Sequence, residues 1–281
     1  MFLDLNAAAL RAQGLDLAYP SRDGAAGGKL KLFLPAPTHT QEAVEWRAGK
    51  ASYNLSRHVT DPARRLVLSE ENLLGGLDPL TNGRFYPFCA MRARFLARVL
   101  KGRPVGRVLL VVRPYDRMFV SAFCKLSEGK VMPDFNEKRE DMAAFEGDGW
   151  PEVALTLIRE LAPRKLVILP YQRPRREVDL ARALVPGLQT EGLQEPAHPV
   201  NASLPDAALI ELQKRYAAGE TPQRALVEQL RTDYADAAPP HPYAAFTPEQ
   251  KVALRARYKA DLETLRLLMG VQVLDPEEAS G

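Results

Sequence analysis

The stretch GRVLLVVRPYDRMFVSAF, Gly106 to Phe123, decides how the rest of the chain is read. Its first part, Gly106 to Pro114, is a continuous apolar run of Val and Leu, entered by Arg107 and closed by Arg113. Such a run suits a strand buried on both faces of a parallel sheet. A turn at Pro114-Tyr115 follows, then a helical pattern from Phe119 to Leu126. Two further runs share the form, each with a basic approach: RRLVLSEE, Arg64 to Glu71, and RKLVILPY, Arg164 to Tyr171. Helical stretches separate the three, at Phe88 to Leu100, Phe119 to Leu126 and Trp150 to Leu161. Strand, helix, strand, helix, strand is the order of an α/β fold, a parallel sheet with flanking helices and right-handed crossovers.

Outward from this centre, FLDLNAAALRAQG opens the chain as a helix. Phe2, Leu3, Leu5, Ala9 and Leu10 fall largely on one face, and Gly14 suits a C-terminal cap. SRDGAAGGK reads as a surface loop and His39 to Trp46 as a short helix. The last third reads as all helix. Thr221-Pro222 and Thr247-Pro248 each place an N-cap before a proline in the first turn. Gln250 adds a capping box, and an amphipathic run through Leu254, Tyr258, Leu262, Leu265 and Leu268 ends at Gly270. Without an internal repeat or a long linker, residues 1–281 are expected to form one domain.

At 46% hydrophobic and 26% charged residues the composition is that of a globular protein, neither disordered nor fibrous. The net charge of +3 is mild and acids are interleaved with bases, which argues against a nucleic-acid partner. Arg173, Arg175 and Arg176 form the one short basic cluster, either a solvated loop or a loop facing an anion. Cys89 and Cys124 have no metal-like spacing and suit free, buried thiols of a reducing compartment. None of His39, His58, His198 and His241 forms a metal pair, so no metal is expected. Asn54-Leu-Ser56 and Asn201-Ala-Ser203 fit the glycosylation pattern, which means little without a secretory signal. No apolar stretch approaches membrane-spanning length. The expectation is a cytoplasmic protein without a membrane span.

In open α/β sheets ligands bind at the carboxyl ends of the strands. Arg113 projects at that edge, and Ser121, about two turns into the next helix, can face the same crevice. An Arg fork and a hydroxyl converging there make a phosphate grip. The alternative is a structural salt bridge for Arg113 and a solvent- or carbonyl-facing Ser121. His39 is the one histidine placed as an acceptor-side candidate. Trp46, Trp150 and Tyr115 serve either as stacking surfaces or as core.

An Arg and a Ser separated by seven residues at a strand–helix junction resemble the 3′-phosphate-binding motif of sulfotransferases. That family uses 3′-phosphoadenosine 5′-phosphosulfate as donor. FLDLNAAALRAQGLDLAYP, LVLSEENLLGG, LVILPYQRP, NASLPDAALIELQ and FTPEQKVALRARYKADLETL resemble segments of its bacterial members in the same order. The resemblance implies a P-loop-like α/β domain that moves a sulfuryl group to a hydroxyl or amine of a glycan, lipid or small molecule. It puts Arg113 and Ser121 on the donor's 3′-phosphate, and Glu70, with Glu71 in reserve, at the general base. Each glutamate has an alternative role in capping the next turn. Two other readings stand beside it: a nucleotide- or glycan-binding protein without turnover, and another P-loop-type enzyme such as a small kinase.

The family begins with a strand and a Lys-Thr-Gly-Thr-Thr-like loop that holds the 5′-phosphosulfate. The helix starting at Phe2 resembles the element after that loop. The domain is therefore expected to be N-terminally truncated, its first strand missing, through a start codon assigned too late or as a true remnant. Gly24 to Lys29 does not replace the loop. It lacks the following Ser or Thr, its glycine spacing is one short of a Walker A loop, and it follows a helix and turn.

Overall fold

Side-chain periodicity and backbone pairing are visible in a computed structural model that describes residues 1–21, 25–171, 176–197 and 203–274. The strands are β1 (Leu15–Ala18), β2 (Arg65–Leu68), β3 (Arg107–Val112), β4 (Lys165–Pro170) and β5 (Val271–Val273). The helices are α1 (Phe2–Leu5), α2 (Ala7–Ala12), α3 (Gln41–Ser56), α4 (Cys89–Leu100), α5 (Tyr115–Ser127) and α6 (Phe135–Ala143). They continue as α7 (Trp150–Leu161), α8 (Glu177–Leu184), α9 (Asp206–Ala217), α10 (Arg224–Asp233) and α11 (Pro248–Leu267). The three apolar runs are thus β2, β3 and β4. The protein is α/β, with small parallel sheets flanked by helices.

All strand pairs among the described residues are parallel, so helices carry the chain back between strands. β1 pairs with β2, Leu15 opposite Arg65. β4 lies between β3 and β5, with Lys165 opposite Arg107 and Leu166 opposite Val271. Two sheets result, β1-β2 and β3-β4-β5.

The two sheets share their covering layers. On one face Ala18, Leu66 and Leu68 join Leu110, Val112, Leu166 and Ile168 in a single core, roofed by residues of α3, α4, α7 and α11. On the other face Leu15, Leu17 and Val67 meet Leu10 of α2 and Val185 and Leu188 beyond α8. Arg65 and Arg107, the first residues of β2 and β3, donate to Pro186 O at 3.1 Å and Ala183 O at 2.8 Å. One short segment therefore ties the starts of both strands together.

Several boundaries differ from those expected of the sequence. β1 and β5 are too short, at four and three residues, to register as apolar runs beside the longer strands. The last third is accordingly not all helix. α3 is longer than expected; it begins where Ala43 N–H donates to Thr40 Oγ1 at 3.2 Å and runs to Ser56. α5 starts at Tyr115, because Pro114 fixes the turn at its N-cap. Thr221 caps nothing: α10 begins at Arg224 after Gln223. The capping box at α11 is present, Thr247 N–H donating to Gln250 Oε1 at 3.1 Å and Gln250 N–H to Thr247 Oγ1 at 3.2 Å. Gly14 has φ +80°, the left-handed conformation a glycine C-cap adopts.

Gly24, Arg173, Arg175, His198 and Asn201 lie outside the described residues. From Ala25 onward the Gly-rich loop is anchored. Gly27 N–H donates to Asp4 Oδ1 at 3.0 Å. Gly28 sits so close to Pro20 that a Cβ would lie 2.2 Å from its carbonyl oxygen. Arg176 is exposed and 3.8 Å from Glu195. Cys89 and Cys124 are free and buried. Among the described residues no helix is long and apolar enough to cross a membrane. Nor does any group of three His, Cys, Asp or Glu side chains among them stand where it could hold a metal ion.

Candidate functional site

β3 ends at the carboxyl edge of its sheet, where Pro114 turns the chain into α5. Arg113 and Ser121 meet there: Arg113 Nη1 donates to Ser121 Oγ at 3.2 Å. The guanidinium also lies over the Tyr171 ring, 4.2 Å from its centroid, just past the end of β4. A cation stacked on an aromatic face is held flat while its remaining donors stay directed by the fork geometry. Both Arg113 and Ser121 are half-buried.

The backbone under Arg113 is fixed from α7. The Trp150 indole N–H donates to Arg113 O at 2.9 Å. Trp150 N–H donates to the Tyr115 hydroxyl at 2.8 Å, and that hydroxyl donates in turn to Asp261 of α11. Trp150 and Tyr115 are 2% and 0% exposed, so they form core and leave no face for stacking on a ligand. Trp46 is exposed instead, with Lys50 Nζ 4.0 Å above its ring. His39 Nδ1 accepts from Ala36 N–H at 2.9 Å in the turn before α3.

Tyr86 is a further member of the site, one that no motif or spacing marked. It holds a left-handed φ of 45°, uncommon for an aromatic residue. Its ring lies 6.0 Å from that of Trp150, whose indole N–H holds Arg113 O, and burial pushes its hydroxyl upward in pKa while the Arg113 charge works in the opposite direction. Gly75 packs against the Tyr86 ring; a Cβ there would lie 3.6 Å from Cδ1. Through Gly75 the loop after β2 adjoins Tyr86 and, beyond it, Trp150.

That loop carries the two glutamates. Glu70 is half-buried and Glu71 exposed. Glu70 Oε1 accepts from Asn72 N–H at 2.9 Å, which caps the 3₁₀ turn Glu71–Leu73. Glu70 also lines an open cleft of about 340 Å³ with Leu32, Phe33, Leu34, Asn72, Gly76 and Arg92. Burial pushes the Arg92 guanidinium below its ordinary pKa, and the nearby Glu70 carboxylate acts against that. Arg92 Nη1 donates to Asn72 O at 2.5 Å and Nε to Pro35 O at 3.3 Å. Arg113 and Ser121 are in direct contact, whereas Glu70 belongs to the adjoining cleft.

Comparison of the chain with known protein families, with curated proteins and with solved structures finds no match.

Proposed function

We propose that the crevice at the end of β3 binds the 3′-phosphate of a 3′-phosphoadenosine nucleotide, and that the protein is a sulfotransferase using 3′-phosphoadenosine 5′-phosphosulfate. The observation that carries this reading is the Arg113–Ser121 contact at a strand end, with the guanidinium steadied on Tyr171. A phosphate entering the crevice takes charge-assisted hydrogen bonds from the guanidinium and one from the Ser121 hydroxyl.

In the reaction, an acceptor hydroxyl or amine of a glycan, lipid or small molecule attacks sulfur. The bond from sulfur to the bridging phosphate oxygen breaks, adenosine 3′,5′-bisphosphate leaves, and the acceptor proton passes to Glu70, Glu71 being the alternative base. The resemblance assigns the grip on the 5′-phosphosulfate to a Lys-Thr-Gly-Thr-Thr-like loop of the family, which Gly24 to Lys29 does not match. A second reading, a nucleotide- or glycan-binding protein without turnover, is favoured by one observation: Glu70 already commits one oxygen to the Asn72 amide.

Calorimetric titration of the chain with adenosine 3′,5′-bisphosphate and with ADP tests the donor site. The bisphosphate should bind at least about tenfold more tightly, one bidentate charged contact being worth about 1.5–3 kcal/mol. Arg113→Ala should abolish that preference. Equal affinities in the wild type, or a preference that survives Arg113→Ala, would sink the proposal. Glu70→Gln in a sulfate-transferring preparation separates the two readings, since only a base loses turnover while donor affinity stays.

A further inference from the structure

A second cavity, of about 290 Å³, lies where the ends of α3 and α4 meet. It shares no lining residue with the Glu70 cleft, and neither Arg113 nor Ser121 reaches it. Its floor is apolar, made by the buried Leu55 of α3 and Val99 of α4. Ser52 Oγ donates to Val99 O at 3.0 Å and closes the seam between the two helices. The exposed Tyr53 stands at the rim. Gly49 lines the cavity from inside α3, with nothing within 4 Å of where its Cβ would be. A glycine inside a helix is destabilising relative to alanine, and here its missing side chain leaves the cavity unfilled.

Lys101 and Arg103 supply the charge, and no carboxylate lines the cavity. Among the described residues neither cationic side chain has a hydrogen-bond or ion-pair partner. Arg94, Lys125 and Arg215, by contrast, are paired with Glu160, Glu128 and Glu211.

Cations near a helix C-terminus can hydrogen-bond its last carbonyls. These two leave them to other donors. Arg98 O accepts from Lys101 N–H and Leu100 O from Arg103 N–H, each at 3.1 Å, and Val99 O accepts from Ser52. At the end of α3, Tyr53 O accepts from Ser56 Oγ at 2.8 Å and Leu55 O from His58 N–H at 3.0 Å. Lys101 also holds φ 49° and ψ 48°, the left-handed conformation in which glycine is favoured. Backbone preference therefore does not account for a lysine at this position.

We propose that this cavity binds a small organic phosphate monoester, its dianionic phosphate between Lys101 and Arg103 and its body on Leu55, Val99 and the Tyr53 ring. Two cations match the charge of a phosphate dianion, and a guanidinium takes phosphate oxygens in its fork. A volume at the lower end of ligand cavities limits the body to about one ring. The inference does not rest on the sulfotransferase reading: failure to bind adenosine 3′,5′-bisphosphate leaves it untouched.

Phenyl phosphate is the probe. Calorimetric titration of the 281-residue chain should show saturable binding, with amide chemical-shift changes centred on Gly49, Tyr53, Ser56, Lys101 and Arg103. Inorganic phosphate should bind at least about tenfold more weakly, since it leaves the apolar floor uncovered. Lys101→Gly and Gly49→Leu each suit the backbone they enter, so neither should lower the urea midpoint. Each should nevertheless weaken phenyl phosphate at least about tenfold, the first by removing a charge and the second by filling the cavity. Shifts centred on Arg113 and Ser121, or affinity that survives both substitutions, would overturn the proposal. So would equal affinity for inorganic phosphate, or no saturation below about 10 mM.

Discussion

Replacing Gly149 with alanine should unfold much of what fixes Arg113, although Gly149 touches no part of the candidate site. Gly149 precedes α7 with φ 64° and ψ −134°, a conformation that costs a residue with a side chain about 1–3 kcal/mol. Its added Cβ would lie 2.0 Å from the Tyr115 hydroxyl oxygen and 2.7 Å from Asp261 Oδ2. The hydroxyl must move, and with it go the hydrogen bonds from Trp150 N–H and to Asp261. Leaving such buried groups unpaired costs about 1–3 kcal/mol. The sum, about 2–6 kcal/mol, is a large share of a domain's stability of about 5–15 kcal/mol. In urea titrations with a slope of about 2–3 kcal/mol/M, the midpoint should fall by about 1–3 M. Tyr115→Phe removes the clashing oxygen, so the double variant should be less destabilised than the sum of the single ones by at least about 1 kcal/mol. A cost for Gly149→Ala below about 1 kcal/mol, or strict additivity with Tyr115→Phe, would refute the account of this junction.

Asp16 should govern part of the acid stability. Burial raises its pKa, but hydrogen bonds from the Thr60 hydroxyl and amide and from Arg64 outweigh that and hold it below the ordinary value of 3.8. Its contribution is present above pH about 4 and lost as pH falls through the lowered folded value. Asp16→Asn should therefore flatten the fall in urea midpoint below pH 4, and an unchanged acid limb would remove Asp16 from this role. Cys89 and Cys124 are each pushed up to about 12 by burial. At pH 8 neither should react with a thiol reagent until the chain unfolds, and their contribution to stability should fade as pH rises from about 9 towards 12. Rapid labelling of either thiol in the native protein would show that the core is open.

Strands with long apolar runs were legible because Val, Leu and Ile in succession admit few other readings. β1 and β5 were not: LDLA and VQV carry no such run, and their pairing is set by the strands beside them. Helix starts were legible where the cap chemistry was complete. Thr247-Pro-Glu-Gln has both halves of the capping box and works as one. Thr221-Pro-Gln-Arg lacks the acceptor three residues on, and its helix begins two residues later than a Thr221 cap requires. The Arg113–Ser121 contact followed from spacing across a strand–helix turn. The stacking of Arg113 on Tyr171 did not, because Tyr171 comes from a separate loop and reaches Arg113 only once β3 and β4 are paired.

Glu70 shows why position at a strand end is weaker evidence than contact. The carboxyl edge concentrates ligands, but it is also where each chain must turn, and an acceptor side chain that caps the turn is worth about 1 kcal/mol. Glu70 caps the turn, its Oε1 accepting from the Asn72 amide at 2.9 Å. The same side chain faces the cleft shared with Phe33 and Arg92, so an acceptor group placed there would meet a carboxylate already oriented by the turn. A capping carboxylate loses its hold on the amide when protonated, and a general base must be protonated once in every cycle. The two roles are compatible only if the other oxygen takes the proton while Oε1 keeps the amide. Asn72→Pro, which removes that N–H, should therefore lower the turnover of a Glu70-dependent transferase without lowering its affinity for adenosine 3′,5′-bisphosphate. If turnover is unaffected while Glu70→Gln abolishes it, the capping bond has no part in orienting the base.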